Sequence, residues 1–238
     1  EDSSIVREGS VDPKSDYQTI QTELILADLA TVQSAQGKVK RFAKESEKTA
    51  IEKLFTGLNA GKPAREIELN DEEKEFVDQL FLLSAKPEII VLNIAEDQYT
   101  ETVASFAEKF ASLIDLVGKD KVYVVISAKI ESELAALSDE EQKEYLNGLG
   151  IKESGLERLI KKAYATLGLI SFLTAGEKEV RAWTINKGMK AVDAAGVIHT
   201  DFTKKFIKAE VVSYNDFVSL NGWKGARENG KARLEGRD

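Results

Sequence analysis

Two short apolar runs, Ile89-Ile-Val-Leu-Asn93 and Val122-Tyr-Val-Val-Ile126, each break off into polar residues: Asn93-Ile-Ala-Glu96 after the first and Ser127-Ala-Lys129 after the second. Between them, Val103, Phe106, Ala107, Phe110, Leu113 and Ile114 recur at helical spacing within 98–117. Parallel neighbours cannot be joined by a tight turn, so strand, helix and strand in this order predict a crossover unit with both strands parallel. Ligands of open α/β sheets sit at the carboxyl ends of such strands, and both runs release their polar groups there. The fold class expected is therefore α/β, with a buried parallel sheet.

The polar ends suggest a nucleotide base. In sites that read guanine, an Asn closes the strand, a Lys follows it, and an Asp three residues on accepts from the ring N1–H and the 2-amino group. Here the second and fourth positions are Ile94 and Glu96. Adenine carries an acceptor at N1 and has no 2-amino group, so a carboxylate placed for guanine has no donor to meet. Sites built around such hydrogen bonds discriminate by factors of about 10⁴. The expectation is ATP over GTP, with Ser127, Ala128 and Lys129 walling the purine. An Ala128 N–H suited to guanine O6 would oppose the amino group of adenine, which must then sit shifted or turned. The competing reading is that Asn93 and Glu96 only cap the next helix.

No phosphate loop of the form G-x-x-x-x-G-K-[ST] is present, because the Gly-Lys pairs at 37, 61, 118 and 230 are followed by Val, Pro, Asp and Ala. Asp193-Ala-Ala-Gly196 matches a metal-linked D-x-x-G in letters but follows no strand of the base-binding pair. The net charge of −8 excludes a surface that is basic throughout, so contacts with nucleic acid must be local. With no cysteine and one histidine, His199, disulfides, thiolate sites and a histidine-rich zinc site are excluded within this chain. No apolar run reaches the roughly 18 residues of a membrane span, and we expect a soluble, cytoplasmic protein. A chain that opens at Glu1 and has Met189 as its sole methionine is expected to be a piece of a longer one.

Elsewhere, Ile20, Leu24, Leu26, Ala27, Leu29 and Val32 predict a helix over 16–36, and Ile51, Leu54, Phe55 and Leu58 a second over 46–59. The two are expected to form a hairpin arm carrying Lys38, Lys40, Arg41, Lys44, Lys48 and Lys53. Asn70 is an N-cap followed by acids, and Ser138 to Glu141 matches a capping box. A helix over 153–167 is closed by Gly168. Beyond it we expect strands over 169–173, 180–185 and 206–213 and helices over 190–195 and 215–220.

Asp12-Pro13, Glu23-Leu-Ile-Leu-Ala-Asp28-Leu29, Gly61-Lys-Pro-Ala-Arg65, Leu82-Leu-Ser-Ala-Lys-Pro87, Asn93-Ile-Ala-Glu96, Ile126-Ser-Ala-Lys129 and Glu153-Ser-Gly155-Leu156 together resemble the YchF, or Obg-like, ATPases. So do Phe172-Leu-Thr-Ala-Gly176, Lys178-Glu-Val-Arg-Ala-Trp-Thr184 and Ala195-Gly-Val-Ile-His-Thr-Asp-Phe202. The resemblance implies a P-loop domain of the translation-factor class, a helical arm inserted into it, and a C-terminal TGS domain of β-grasp fold. Mapped onto this chain, it assigns 1–28 and 62–168 to the nucleotide domain, 29–61 to the arm and 169–238 to a TGS domain lacking its last strands. It also implies ATP hydrolysis with Mg²⁺, whose ligands fall in an N-terminal part this chain lacks, and binding to the ribosome through the large subunit and rRNA.

On that comparison Asn93 holds the base and tethers the phosphate loop, Ile94 packs on adenine or offers it backbone, and Glu96 disfavours guanine. The piece alone is expected to lack ATPase activity and to bind nucleotide poorly. Lys38, Lys40, Arg41 and Lys44 on the arm, with Lys204, Lys205 and Lys208 near the C-terminus, are candidates to neutralise rRNA phosphates. Arg181, Lys187 and Lys190, interleaved with Trp183, Phe202 and Phe206, could widen the second patch. Against this stands a solvated charged face with the aromatics in the core. His199 is read as structural or RNA-facing. The alternative function is a non-catalytic ribosome or RNA-binding module whose shape nucleotide switches.

Overall fold

The computed structural model describes residues 12–38, 44–99, 105–118, 121–176 and 179–237. It is a mixed α/β structure in two compact units, 1–163 and 164–238.

The first unit opens with α1 (Pro13–Lys38) and α2 (Glu45–Asn59), which pack on each other. Pro13 suits a first helical position because its missing N–H would have had no partner there, and Asp12 Oδ1 accepts the next two N–H groups at 3.1 and 3.3 Å. Ile25, Val32, Ala50, Ile51, Leu54 and Leu58 form the shared core. That core corrects the expected face of α1, since Ile20 and Leu26 are exposed. The inward stripe runs through Ile25, Asp28 and Val32, and the acid in its middle hides it from a count of apolar spacings. A helix α3 (Asp71–Asp78) begins at Asn70, whose side chain and that of Glu73 each accept the other's backbone N–H at 2.9 Å.

The second core of this unit lies on β1 (Ile89–Asn93) and β2 (Val122–Ile126), which pair in parallel with Ile89 opposite Val122 and Asn93 opposite Ile126. The crossover is not the single expected helix. A 3₁₀ turn (Glu96–Gln98) is followed by α4 (Phe106–Lys109) and α5 (Ala111–Val117), and Phe110 between the last two leaves helical geometry at φ −109°, ψ 21°. Val103 lies outside the described residues. Leu92, Ile94, Phe110, Leu113, Val125 and Ile130 meet in the core. Then come α6 (Ala128–Leu134), α7 (Asp139–Gly148) and α8 (Gly155–Thr166), the last running across the division between the units. Glu141 accepts from both the N–H and the hydroxyl of Ser138 at the start of α7.

In the second unit β3 (Leu169–Ala175) and β4 (Val180–Asn186) form an antiparallel hairpin. Gly168, at φ +64°, makes the left-handed turn that separates α8 from β3. After α9 (Ala191–Ile198) and α10 (Thr200–Lys205), the strand expected over 206–213 shrinks to β5 (Ala209–Val211). It pairs antiparallel with β6 (Arg233–Glu235), across α11 (Tyr214–Ser219) and α12 (Trp223–Glu228). The aromatics expected in the core divide: Trp183 and Phe206 are half-buried, whereas Phe202 is exposed.

Candidate functional site

The parallel register brings the two polar segments side by side. Asn93, at the end of β1, turns its Oδ1 across to accept the Ala128 N–H at 2.9 Å. Ala128 is the first residue of α6, so Asn93 caps a helix, but the one after the neighbouring strand rather than the one after its own. The Ile94 N–H donates to the Ile126 carbonyl at 2.9 Å and extends the ladder by one bond. Above these, Glu96 and Lys129 form an ion pair at 2.5 Å, partly open to solvent. Ser127 is buried, and its Oγ meets no hydrogen-bonding partner among the described residues.

Two expectations about individual atoms are corrected. The Ile94 side chain is 2% exposed and sits in the core, so it cannot pack on a purine. Alternation along β1 is the reason: Leu92 faces the core, and Ile94 two residues on faces the same way. The Ala128 N–H, expected beside the base, is instead committed to Asn93. That leaves the Asn93 Nδ2 as the amide's donor.

Spacing did not reveal what surrounds the slot. Tyr99, one residue past the 3₁₀ turn, is buried and bonded through its hydroxyl to Arg158 Nη2 on α8. Arg158 also donates to the Val125 carbonyl at 2.9 Å and the Glu153 carbonyl at 3.0 Å, and lies 5.7 Å from the Tyr99 ring centre. Gly155 donates its N–H to Glu131 on α6 at 2.7 Å. A Cβ at Gly155 would come within 2.9 Å of Ile126, so the start of α8 presses directly on the end of β2. The run Glu153-Ser-Gly155 carried the one available signal, a glycine opening a helix.

A second buried polar cluster fastens α1 to the segment before β1. Asp28 accepts from the Leu83 N–H and the Ser84 N–H, both at 2.7 Å, and from the Ser84 hydroxyl at 2.6 Å. Ser84 Oγ accepts from the Ala64 N–H at 2.9 Å. Arg65 joins the Ser84 carbonyl to Gln21 and Glu88 at 2.9 to 3.1 Å. Glu88 also takes the Tyr17 hydroxyl at 3.0 Å, and burial first, then that bond, push the phenol pKa up to about 12. Asp28, Arg65 and Ser84 come from the runs that carried the family resemblance, and their role here is structural.

The basic residues do not act as one group. Lys40 and Arg41 lie outside the described residues, as does the side chain of Lys38. Lys44 is exposed, while Lys48 pairs with Glu45 and Lys53 with the buried Glu73. Lys204, Lys205 and Lys208 are exposed around the end of α10. His199 caps α10, its Nδ1 accepting the Asp201 N–H at 3.2 Å, and Asp193 lies in the first turn of α9. Among the described residues no three His, Cys, Asp or Glu side chains converge in a group that could hold a metal ion.

A parallel strand pair with polar loops at both carboxyl ends, followed by a small unit of antiparallel strands, defines a mixed α/β architecture. Residues 169–238 match the family model YchF-GTPase_C, described as a protein of unknown function (DUF933). The chain is 45% identical to the "Ribosome-binding ATPase YchF" of Bacillus subtilis (strain 168) and 42% identical to that of Haemophilus influenzae, over 97% of this chain and 64% of each relative. The "Structure of the Schizosaccharomyces pombe YchF GTPase" superposes with a TM-score of 0.81 at 33% identity, covering 98% of this chain and 65% of that one. The chain belongs to the YchF family. It spans just under two thirds of the length of these relatives.

Proposed function

We propose that this chain supplies the base-recognition half of a ribosome-associated ATPase that prefers ATP to GTP. The observation that carries the reading is the meeting of Asn93–Glu96 with Ser127–Lys129 at the ends of adjacent parallel strands, locked by the Asn93 to Ala128 bond. In that slot Asn93 Nδ2 faces a purine ring nitrogen as donor. Ile94 offers backbone only, and Ser127 to Lys129 form the wall. Glu96 is already satisfied by Lys129, so a guanine edge would have to compete with an ammonium for it.

In this reading 1–28 and 62–168 are the later part of a P-loop domain, 29–61 its inserted arm, and 169–238 a TGS domain. The phosphate loop and Mg²⁺ ligands belong to residues outside this chain, and the chain alone has no ATPase activity. Relatives named as ribosome-binding support a ribosomal partner. Lys44, Lys204, Lys205 and Lys208 are the described groups suited to rRNA phosphates of the large subunit.

Titrating the isotope-labelled chain with millimolar ATP and, separately, GTP tests the site. ATP is expected to shift the amides of Ile94, Glu96, Ala128 and Lys129 more strongly than GTP, and Asn93→Ala is expected to abolish the response. Equal responses to both nucleotides would refute the base preference. Salt-sensitive ribosome cosedimentation that persists without any such response would favour the non-catalytic binding module.

A further inference from the structure

We propose that Arg158 and Tyr99 are positioning residues that set the spacing between the two lips of the slot, an inference that rests on reading Asn93–Glu96 and Ser127–Lys129 as a purine site. Tyr99 follows Glu96 by three residues and Val125 precedes Ser127 by two, so one guanidinium holds the segment behind each lip. Its third attachment, the Glu153 carbonyl, anchors both to the start of α8. A guanidinium projects its donors in fixed directions, so acceptors on three segments are locked in mutual position rather than merely held close.

The choice of residue argues for geometry over stability. The two nearby carboxylates in sequence, Glu157 and Glu153, are bonded to the Ser154 N–H and to Lys161, and Arg158 hydrogen-bonds to two carbonyls and a phenol instead. An apolar side chain of similar length would fill the space without the desolvation cost of a charge. It could not tie Tyr99 to Val125. The second tie, Glu131 to the Gly155 N–H, holds α6 against the same helix start, so the helix whose first N–H Asn93 accepts is fastened at a second point.

The test uses the full chain and reads amide exchange at Ala128 together with the ATP response of the slot. Arg158→Met keeps length and removes the donors. It is expected to speed Ala128 exchange by about tenfold or more, tenfold being the lower end for one hydrogen bond to a charged group, and to weaken the ATP-induced shifts at 94–96 and 127–129. Tyr99→Phe keeps the ring buried and releases only the first lip, so shifts at Glu96 should weaken while Ala128 exchange stays near that of the unmodified chain. Arg158→Lys, which keeps the charge but gathers its donors on a single nitrogen, should restore part of the Ala128 protection. Ser84→Ala loosens the same unit far from the slot and should leave Ala128 exchange unchanged. Equal acceleration in Arg158→Met and Ser84→Ala would mean that Arg158 acts only through stability, and would overturn the clamp. An unmodified chain that shows no ATP response at either lip would overturn the purine reading, and with it the clamp's part in ligand binding, even if the exchange pattern held.

Discussion

In residues 1–163 apolar side chains collect in two cores, and of the polar residues buried with them Asp28, Glu73 and Ser84 have side-chain partners, while the Ser127 hydroxyl meets none among the described residues. In residues 164–238 the described hydrophobics that are buried are Ile185 and Ala226, while Leu173, Val180, Ile207 and Leu234 are half or more exposed. Yet the second unit has well-formed elements. Its hairpin pairs Leu169 with Asn186 through to Ala175 with Val180, Ser213 caps α11, and Arg181 stacks 4.2 Å over Trp183, whose Nε1 bonds Thr174 across the strands. Caps and cross-strand pairs thus build secondary structure with little burial. Fixing the position of a functional atom takes more, and in the first unit buried hydrogen bonds between segments distant in sequence provide it.

Removing one such buried group should have the largest effect. Asp28→Ala leaves two N–H groups and a hydroxyl without their acceptor in a dry site, at about 1–3 kcal/mol each when unsatisfied. We expect a loss of about 3–5 kcal/mol in urea unfolding, with faster exchange at the Leu83 and Ser84 amides. A loss below about 1 kcal/mol would mean that water replaces the carboxylate, and would erase the contrast drawn above.

A smaller effect, and a pH-dependent one, is expected at Glu73. Hydrogen bonding by the Lys53 ammonium, then by the Asn70 N–H, holds its carboxyl below the usual range. A lowered folded pKa means that the contribution is present above the unfolded value, about 4.3, and is lost as pH falls through the folded one. Glu73→Gln should therefore lower the urea midpoint at neutral pH, and the gap from the unmodified chain should close in acid. A gap that stays constant across that range would show that the charge on Glu73 contributes nothing.

The same contrast explains what the sequence made legible. Both strands of the parallel pair, the polar turns after them, the first two helices and the Asn70 cap follow from local pattern, and all are present. The apolar spacing of α1 points to the wrong face because Asp28 is buried, and Ile94 misleads because its place in the motif suggests ligand while its place in the strand means core. Phe110 breaks the crossover helix although its spacing suits a helix, and nothing in the local pattern marks the break. The pairing of β5 with β6 joins residues more than twenty apart and leaves no periodic trace. Arg158 and Tyr99 were invisible for a similar reason, as nothing in the letters shows that they meet.

The smallest effect should come from the apolar surface of the second unit. Ile207 is 82% exposed between α10 and β5, so Ile207→Ser removes little area from contact with protein and should change stability by less than about 0.5 kcal/mol. Ile185, buried in β4, gives the matched control, since Ile185→Ala should cost about 2 kcal/mol or more. Trp183 and Trp223 are the chain's two tryptophans and both lie in this unit, so their fluorescence follows its unfolding directly. If Ile207→Ser instead destabilises as much as Ile185→Ala, the side chain is buried in solution by something that contacts this surface. The contrast between the units would then describe the isolated chain and not the protein at work.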